Sequence, residues 1–188
     1  MAKTKSEIHR DAKHAEIVEA ARRLFIDAGY DQTSMSRIAE EAGVAPNTIY
    51  WYFADKDALL VAVLDSLLTA ALKRFVAKAM RPPQEPALEA DLCWLLNELD
   101  HLKTLIATVH ARVSSSTAVH TWHGNFHRAF EAVLSARLAA YGVHASDLAS
   151  ASRVSMFVVE GIAAHPTSAK DRRALVKWLA ATLDRGAF

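Results

Sequence analysis

Gly43 is the residue that most constrains what this chain can fold into. It stands between two short runs of helical periodicity inside residues 29–56, GYDQTSMSRIAEEAGVAPNTIYWYFADK. In the first run, residues 34–42, Met35, Ile38, Ala39 and Ala42 recur at the spacing of one helical face. Thr33 or Ser34 is placed to cap it, the side-chain oxygen accepting from a backbone N–H that has no partner within the helix. Glycine tolerates the left-handed conformation that ends a helix, and Gly43 supplies it. A second helix is expected from Pro46, where a first-turn proline costs no hydrogen bond. Ala39 lets the two helices approach closely, and Val44 and Ile49 close a small core between them. The pattern predicts a helix-turn-helix.

The polar residues left over suit the use such a motif has, which is to place its second helix in the DNA major groove. Asn47 and Thr48 offer short side chains for base edges or phosphates. Tyr50, Trp51 and Tyr52 are too many adjacent aromatics for one buried face of a short helix. Asp55 is expected to cap the next helix, with Lys56 and the free N–H groups there directed at a phosphate. The competing reading is a compact helical hairpin with a tyrosine-rich edge.

The order and spacing of Ala20-Ala21-Arg22-Arg23-Leu24-Phe25, Gly29-Tyr30, Thr33-Ser34, Ile38-Ala39, Ala42-Gly43-Val44, Thr48-Ile49-Tyr50-Trp51-Tyr52-Phe53, Lys56 and Leu59-Leu60 resemble the DNA-binding domain of the tetracycline-repressor (TetR) family of bacterial transcription regulators. The resemblance covers residues 14–64 by motif and reaches the rest only through length and helical layout. It implies an all-α protein of about nine helices, with a three-helix DNA-binding domain over residues 1–56 and an effector-binding and dimerisation domain over residues 57–188. It places Ser36, Arg37, Pro46, Asn47 and Thr48 at base-facing positions, and Thr33, Ser34, Tyr50, Trp51, Tyr52 and Lys56 at phosphate-facing ones. Pro46 departs from the usual small or polar residue and offers only apolar contact, such as to a thymine methyl. The implied partners are a palindromic double-stranded operator, a small-molecule effector and a second copy of the chain, joined through the last two helices as a four-helix bundle.

Composition sets the outer limits. The 188 residues, 52% hydrophobic and 23% charged, describe an ordered chain with enough apolar residues for a core. The single cysteine, Cys93, excludes an intramolecular disulfide and suits a reducing cytoplasm. No apolar run reaches the length of a membrane span, and the N-terminus lacks the apolar core of a secretory signal. The formal net charge is +1, and residues 1–81 carry 12 basic against 11 acidic side chains. DNA affinity must therefore come from positioned groups rather than bulk charge.

Periodicity is helical throughout. A first helix is expected over residues 14–28, with Ile17, Ala20, Ala21, Leu24, Phe25 and Ala28 on one stripe. The residues before it, with Lys3, Lys5 and Arg10, read as a mobile tail or a DNA-contacting arm. A long helix over 57–80 ends at the proline cluster of residues 81–86. Further helices are expected over 87–100, 103–113, 118–141, 146–164 and 169–185, the last opened by a capping box variant, Ser168 to Asp171.

His120, His123 and His127 fall near one face of the helix over 118–141. Imidazoles so placed are candidate metal ligands, with His110 or Cys93 to complete a tetrahedral site. His120 and His127 are about 10 Å apart along the axis, too far to share one ion, and no carboxylate partner is evident. A metal-responsive regulator or a helical metal-dependent enzyme is the alternative this leaves open, but no metal or other cofactor is assigned. No catalytic triad order, glycine-rich phosphate loop or paired-carboxylate motif supports an enzyme. The candidate lining of an effector pocket is Trp94, Asn97, His110, Trp122, His123, Phe126 and Met156, apolar walls with a few polar groups. This predicts an apolar or aromatic effector, with Arg112 available to an anionic group if it points inward. Finally, Ala151, Val154, Phe157, Val158, Gly161 and Ile162, and then Leu175, Trp178, Leu179, Thr182 and Leu183, form two apolar faces suited to the paired helices of a dimer. The expected protein is thus a cytoplasmic, ligand-responsive DNA-binding regulator, a repressor and not an enzyme.

Overall fold

The computed structural model describes residues 4–79 and 88–184. Among these residues the structure is all-α, with nine helices: α1 (Lys5–Asp27), α2 (Met35–Glu41), α3 (Pro46–Ile49), α4 (Lys56–Ala79), α5 (Leu88–Asp100), α6 (Lys103–Arg112), α7 (Thr117–Ala140), α8 (Leu148–Ala164) and α9 (Ala169–Asp184). The proline cluster of residues 81–86 lies outside the described residues. The chain groups into two compact units, one of Met1–Lys78 with Thr108–Trp122, the other of Ala79–Ala107 with His123–Phe188.

In the first unit, α1 begins at Lys5 rather than near His14, so residues 5–13 of the expected tail are helical. The physical reason is a capping box. The Glu7 N–H donates to the Thr4 hydroxyl at 3.2 Å, and the Thr4 N–H donates to the Glu7 carboxylate at 2.7 Å. A cap of this kind is worth about 0.5–2 kcal/mol, enough to extend a helix whose first turns bury nothing. Further along, Ile17, Ala20, Ala21 and Phe25 are fully buried, as are Ile38 and Ala39 of α2 and Ile49 of α3. Burying a side chain the size of Phe25 contributes about 1.5–3 kcal/mol, and Leu59, Leu60 and Val63 of α4 are fully buried as well.

Helix α2 opens on Ser34, whose hydroxyl accepts from the Arg37 N–H at 3.2 Å. It closes in a Schellman motif. The Val44 N–H donates to the Ala39 carbonyl at 2.9 Å, and the Gly43 N–H to the Glu40 carbonyl at 3.0 Å, with Gly43 at φ 63°. That backbone angle is what requires glycine at position 43. Helix α3 is only one turn long, with Pro46 in its first turn and Tyr50 as its C-cap. Trp51 and Tyr52 follow it in a turn rather than lying on the helix itself.

The second unit is built on one apolar cluster. Leu88, Leu92 and Leu96 of α5, Leu138 of α7, Ala151, Val159 and Ile162 of α8, and Val176, Leu179, Ala180 and Leu183 of α9 are all buried within it. Two forks reinforce these contacts. Arg172 of α9 grips Asp100 at the end of α5 through both terminal nitrogens, at 2.5 and 2.6 Å. Arg137 of α7 reaches Asp91 of α5, which also accepts from the Tyr141 hydroxyl at 2.8 Å.

Candidate nucleic-acid interface and effector region

The candidate DNA-contacting residues of the first unit lie on and around α2 and α3. Ser34, Ser36 and Arg37 are exposed on the first turn of α2, and Pro46 and Asn47 on α3, with Thr48 half-buried. Beyond α3, Tyr50 is 54% exposed and Trp51 88% exposed, whereas Phe53, two residues on, is buried. Tyr52 is half-buried, its ring 6.4 Å from that of His14. An indole left in water contributes little buried apolar area to the unit's core. It is the kind of group that awaits a partner.

Two of the residues expected at phosphates, Thr33 and Lys56, make hydrogen bonds within the unit. Thr33 is buried, and its hydroxyl donates to the Gly29 carbonyl at 2.8 Å. It ties down the loop of residues 29–33 and faces no partner. Lys56 likewise turns inward. Its ammonium donates to the Tyr30 and Thr33 carbonyls, 3.0 Å each, and lies 4.1 Å from the centre of the Tyr30 ring. Three donors less two leaves one N–H for a phosphate, so Lys56 is first a brace for the loop ahead of α2. Asp55 does cap α4, accepting from the Ala58 N–H at 2.7 Å.

Next to this brace, Asp57 receives the fork of Arg112, at 2.5 and 2.6 Å, and the Tyr30 hydroxyl at 2.5 Å. Burial pushes the Asp57 carboxyl up, but hydrogen bonds from Arg112, Tyr30 and Ser116 outweigh it and hold it below the usual carboxylate range. Tyr30 is pushed well up, first by burial and then by its bond to Asp57, so it stays a neutral donor. The expectation that Arg112 is available to an anionic effector is therefore not met: its guanidinium is already paired. Neither the Asp57–Arg112 pair nor the inward turn of Lys56 has a local sequence signal, because the partners come from distant parts of the chain.

The candidate effector residues divide between the units. His110, exposed, and Trp122 belong to the first, where the Trp122 indole N–H donates to Asp65 of α4 at 2.7 Å. Trp94, Asn97, His123, Phe126 and Met156 belong to the second. There Met156 is 2% exposed, Asn97 is exposed, and Trp94, His123 and Phe126 are half-buried. Phe126 stacks on Phe130 at 5.6 Å and meets His127 edge-on at 5.9 Å. A carboxylate that the histidine spacing did not reveal stands beside this row. Glu160 of α8 lies 2.8 Å from His127.

Two short helices around a glycine turn, the first capped by Ser34, with a polar and aromatic edge left in solvent, define a helix-turn-helix DNA-binding domain. Residues 17–63 match the family model described as bacterial regulatory proteins, tetR family. Over 53 residues, 28% of the chain, it is 49% identical to the HTH-type transcriptional regulator TtgR of Pseudomonas putida, and it spans about a quarter (25%) of that relative's length. The fold matches two solved structures over nearly the whole chain. Salmonella enterica GusR aligns with a TM-score of 0.69 at 22% identity, covering 93% of this chain and 95% of that one. The transcriptional regulator FadR from Bacillus subtilis in complex with stearoyl-CoA aligns at 0.66 with 18% identity, covering 92% and 98%. Among the described residues, no helix is long and apolar enough to cross a membrane.

Proposed function

We propose that the protein is a homodimeric, cytoplasmic transcription regulator that represses from a palindromic operator and is released by a small-molecule effector. The observation that carries the DNA-binding reading is Trp51, 88% exposed in the turn that follows α3, a helix on which Pro46 and Asn47 are also exposed. Ser36, Arg37, Pro46, Asn47 and Thr48 read bases. Ser34, Tyr50, Trp51, Tyr52 and the remaining N–H of Lys56 hold phosphates, which fix register but carry no sequence information. The reading head is residues 1–56, and residues 57–188 take the effector and pair the subunits. The protein carries out no catalysis in this reading.

Dimerisation rests on α8 and α9. Val154, Phe157, Leu175 and Trp178 are exposed, at 39%, 58%, 45% and 63%, on helices whose other large apolar residues are buried or half-buried. The faces expected for the interface thus divide: Ala151, Ile162, Leu179 and Leu183 serve the core, and the outer four are left for the twin. A Cβ built on Gly161 meets nothing within 4 Å, so its bare backbone is open to close approach by a partner helix. Two-fold pairing would put two copies of α3 on successive major grooves, which calls for inverted half-sites.

The effector is expected to be mainly apolar or aromatic, given Trp94, Phe126, Phe130 and Met156 in the second unit. The stearoyl-CoA complex of the Bacillus subtilis regulator is in keeping with a ligand that has a large apolar part. An effector shifts DNA occupancy appreciably when it prefers the released state by about 1–3 kcal/mol. Selection of duplexes from a random pool by the purified protein tests the function. Enrichment of an inverted repeat supports it, and recovery of unordered sequences at every salt concentration refutes it.

A further inference from the structure

We infer that the second unit carries a site for a borderline divalent transition metal such as Zn²⁺, formed by His123 and His127 of α7 and Glu160 of α8. The two histidines are four residues apart, so their side chains project from the same helical face one turn from each other. Their rings are 4.1 Å apart, centre to centre, and inclined at 46°. The side chain of Glu160 closes the third side. Its Oε1 lies 2.8 Å from His127 Nε2, and a carboxylate oxygen lies within 4.8 Å of a ring nitrogen of His123. Two imidazoles and one carboxylate are a donor set that holds zinc with a fourth position open to water or a further ligand.

His127 Nε2 is sealed from solvent, and although Glu160 Oε1 is only 2.8 Å away, the two are not aligned as a hydrogen bond. Groups that share a cation point at the cation rather than at each other. Two ligand atoms each about 2.1 Å from a tetrahedral ion are roughly 3.4 Å apart. His127 and Glu160, at 2.8 Å, need only separate slightly, and Glu160 and His123, within 4.8 Å of each other, need only draw closer to reach that arrangement. Imidazole favours zinc, nickel and copper over magnesium or calcium, which sets the class of ion. His127 and Glu160 are also only 22% and 24% exposed, so a bound ion would be largely screened from bulk water. The stripe that spacing alone left without a carboxylate partner thus acquires one from a different helix. His120 is exposed and plays no part.

Titration of the tag-free, metal-stripped full-length protein with Co²⁺, followed by its visible ligand-field absorption and then by Zn²⁺ displacement, tests the site without reference to DNA. One ion per chain, with an absorption intensity typical of four- or five-coordinate cobalt, is expected. Because loss of a mere supporting partner costs a metal site about 10–100-fold in affinity, His123→Ala, His127→Ala and Glu160→Gln should each weaken binding by at least about tenfold. His120→Ala should leave binding unchanged, and circular dichroism of each variant confirms that the helices persist. Absence of binding at tens of micromolar metal overturns the inference, as does binding that survives His123→Ala and His127→Ala in folded protein. Either result leaves the DNA-binding reading standing, and loss of DNA binding would leave the metal site standing.

Discussion

Arg112, the last residue of α6, grips Asp57, the second residue of α4, with Nε 2.5 Å from Oδ1 and Nη2 2.6 Å from Oδ2. Tyr30 completes the arrangement by donating to the same carboxylate, and the Arg112 guanidinium lies 5.0 Å from the centre of its ring. The pair links the end of α6 to the first turn of α4 and, through Tyr30, to the loop ahead of α2. Arg112→Ala leaves a largely buried carboxylate without its cation. A fully buried charge so orphaned costs about 3–5 kcal/mol; with Arg112 itself 30% exposed, about 1–3 kcal/mol is expected. Chemical denaturation measures it. A double-mutant cycle of Arg112→Met with Asp57→Asn should recover part of the loss, and additive losses would show that the two residues act independently.

The depressed carboxyls make stability fall in acid. Arg172's hydrogen bonds hold Asp100 far below the usual range, and the bonds to Asp57 outweigh its burial and do the same to a lesser degree. An unfolded aspartate titrates near 3.9, so the stabilisation is complete above about pH 4 and is lost as the pH falls through the lower folded values. Urea melts from pH 6 to pH 2 should show this decline. Arg172→Met should flatten it, and an unchanged pH profile in that variant would remove Asp100 from the account.

Lys56 is expected to matter for folding as much as for DNA. Charged hydrogen bonds to the Tyr30 and Thr33 carbonyls contribute about 1.5–3 kcal/mol when buried and less when half-exposed as here. Lys56→Ala should therefore lower the melting temperature. If its remaining N–H meets a phosphate, the salt slope of DNA binding should also drop by about 1. An unaltered melting temperature would mean that the loop is held without it.

Trp178→Asp, or a bulky residue at Gly161, should produce monomers without unfolding the second unit, because both positions face outward while Leu179 and Ile162 fill the core. Light scattering at micromolar concentration separates the outcomes. A monomeric wild type, or a fully dimeric Trp178→Asp variant, contradicts pairing through α8 and α9.

What could be read in advance follows the range of the interactions involved. The turn at Gly43, the cap at Ser34 and the stripes on α1 and α2 are local, so spacing alone revealed them. The start of α1 is equally local: Thr4 and Glu7 stand at capping-box spacing, but in a polar stretch that carries no apolar stripe. Thr33 and Lys56 were assigned to phosphates because their position matched the motif. Their inward bonds depend on where the carbonyls of residues 29–33 point, which no periodicity encodes. The same limit hid Glu160 from His127 and Asp57 from Arg112, pairs 33 and 55 residues apart. On α8 and α9 periodicity marked the apolar residues correctly, but only packing divides them between Ile162 and Leu179 in the core and Phe157 and Trp178 in solvent.

Fluorescence anisotropy with the selected duplex, its half-site and a scrambled control, repeated at several salt concentrations, tests the central claim most directly. The account predicts two chains per full duplex, much weaker binding to the half-site, and affinity that falls linearly with salt on logarithmic axes. Asn47→Ala should relax the preference for the selected sequence by about 1–3 kcal/mol. Equal affinity for the selected and scrambled duplexes, in the wild type and in Asn47→Ala alike, would contradict it.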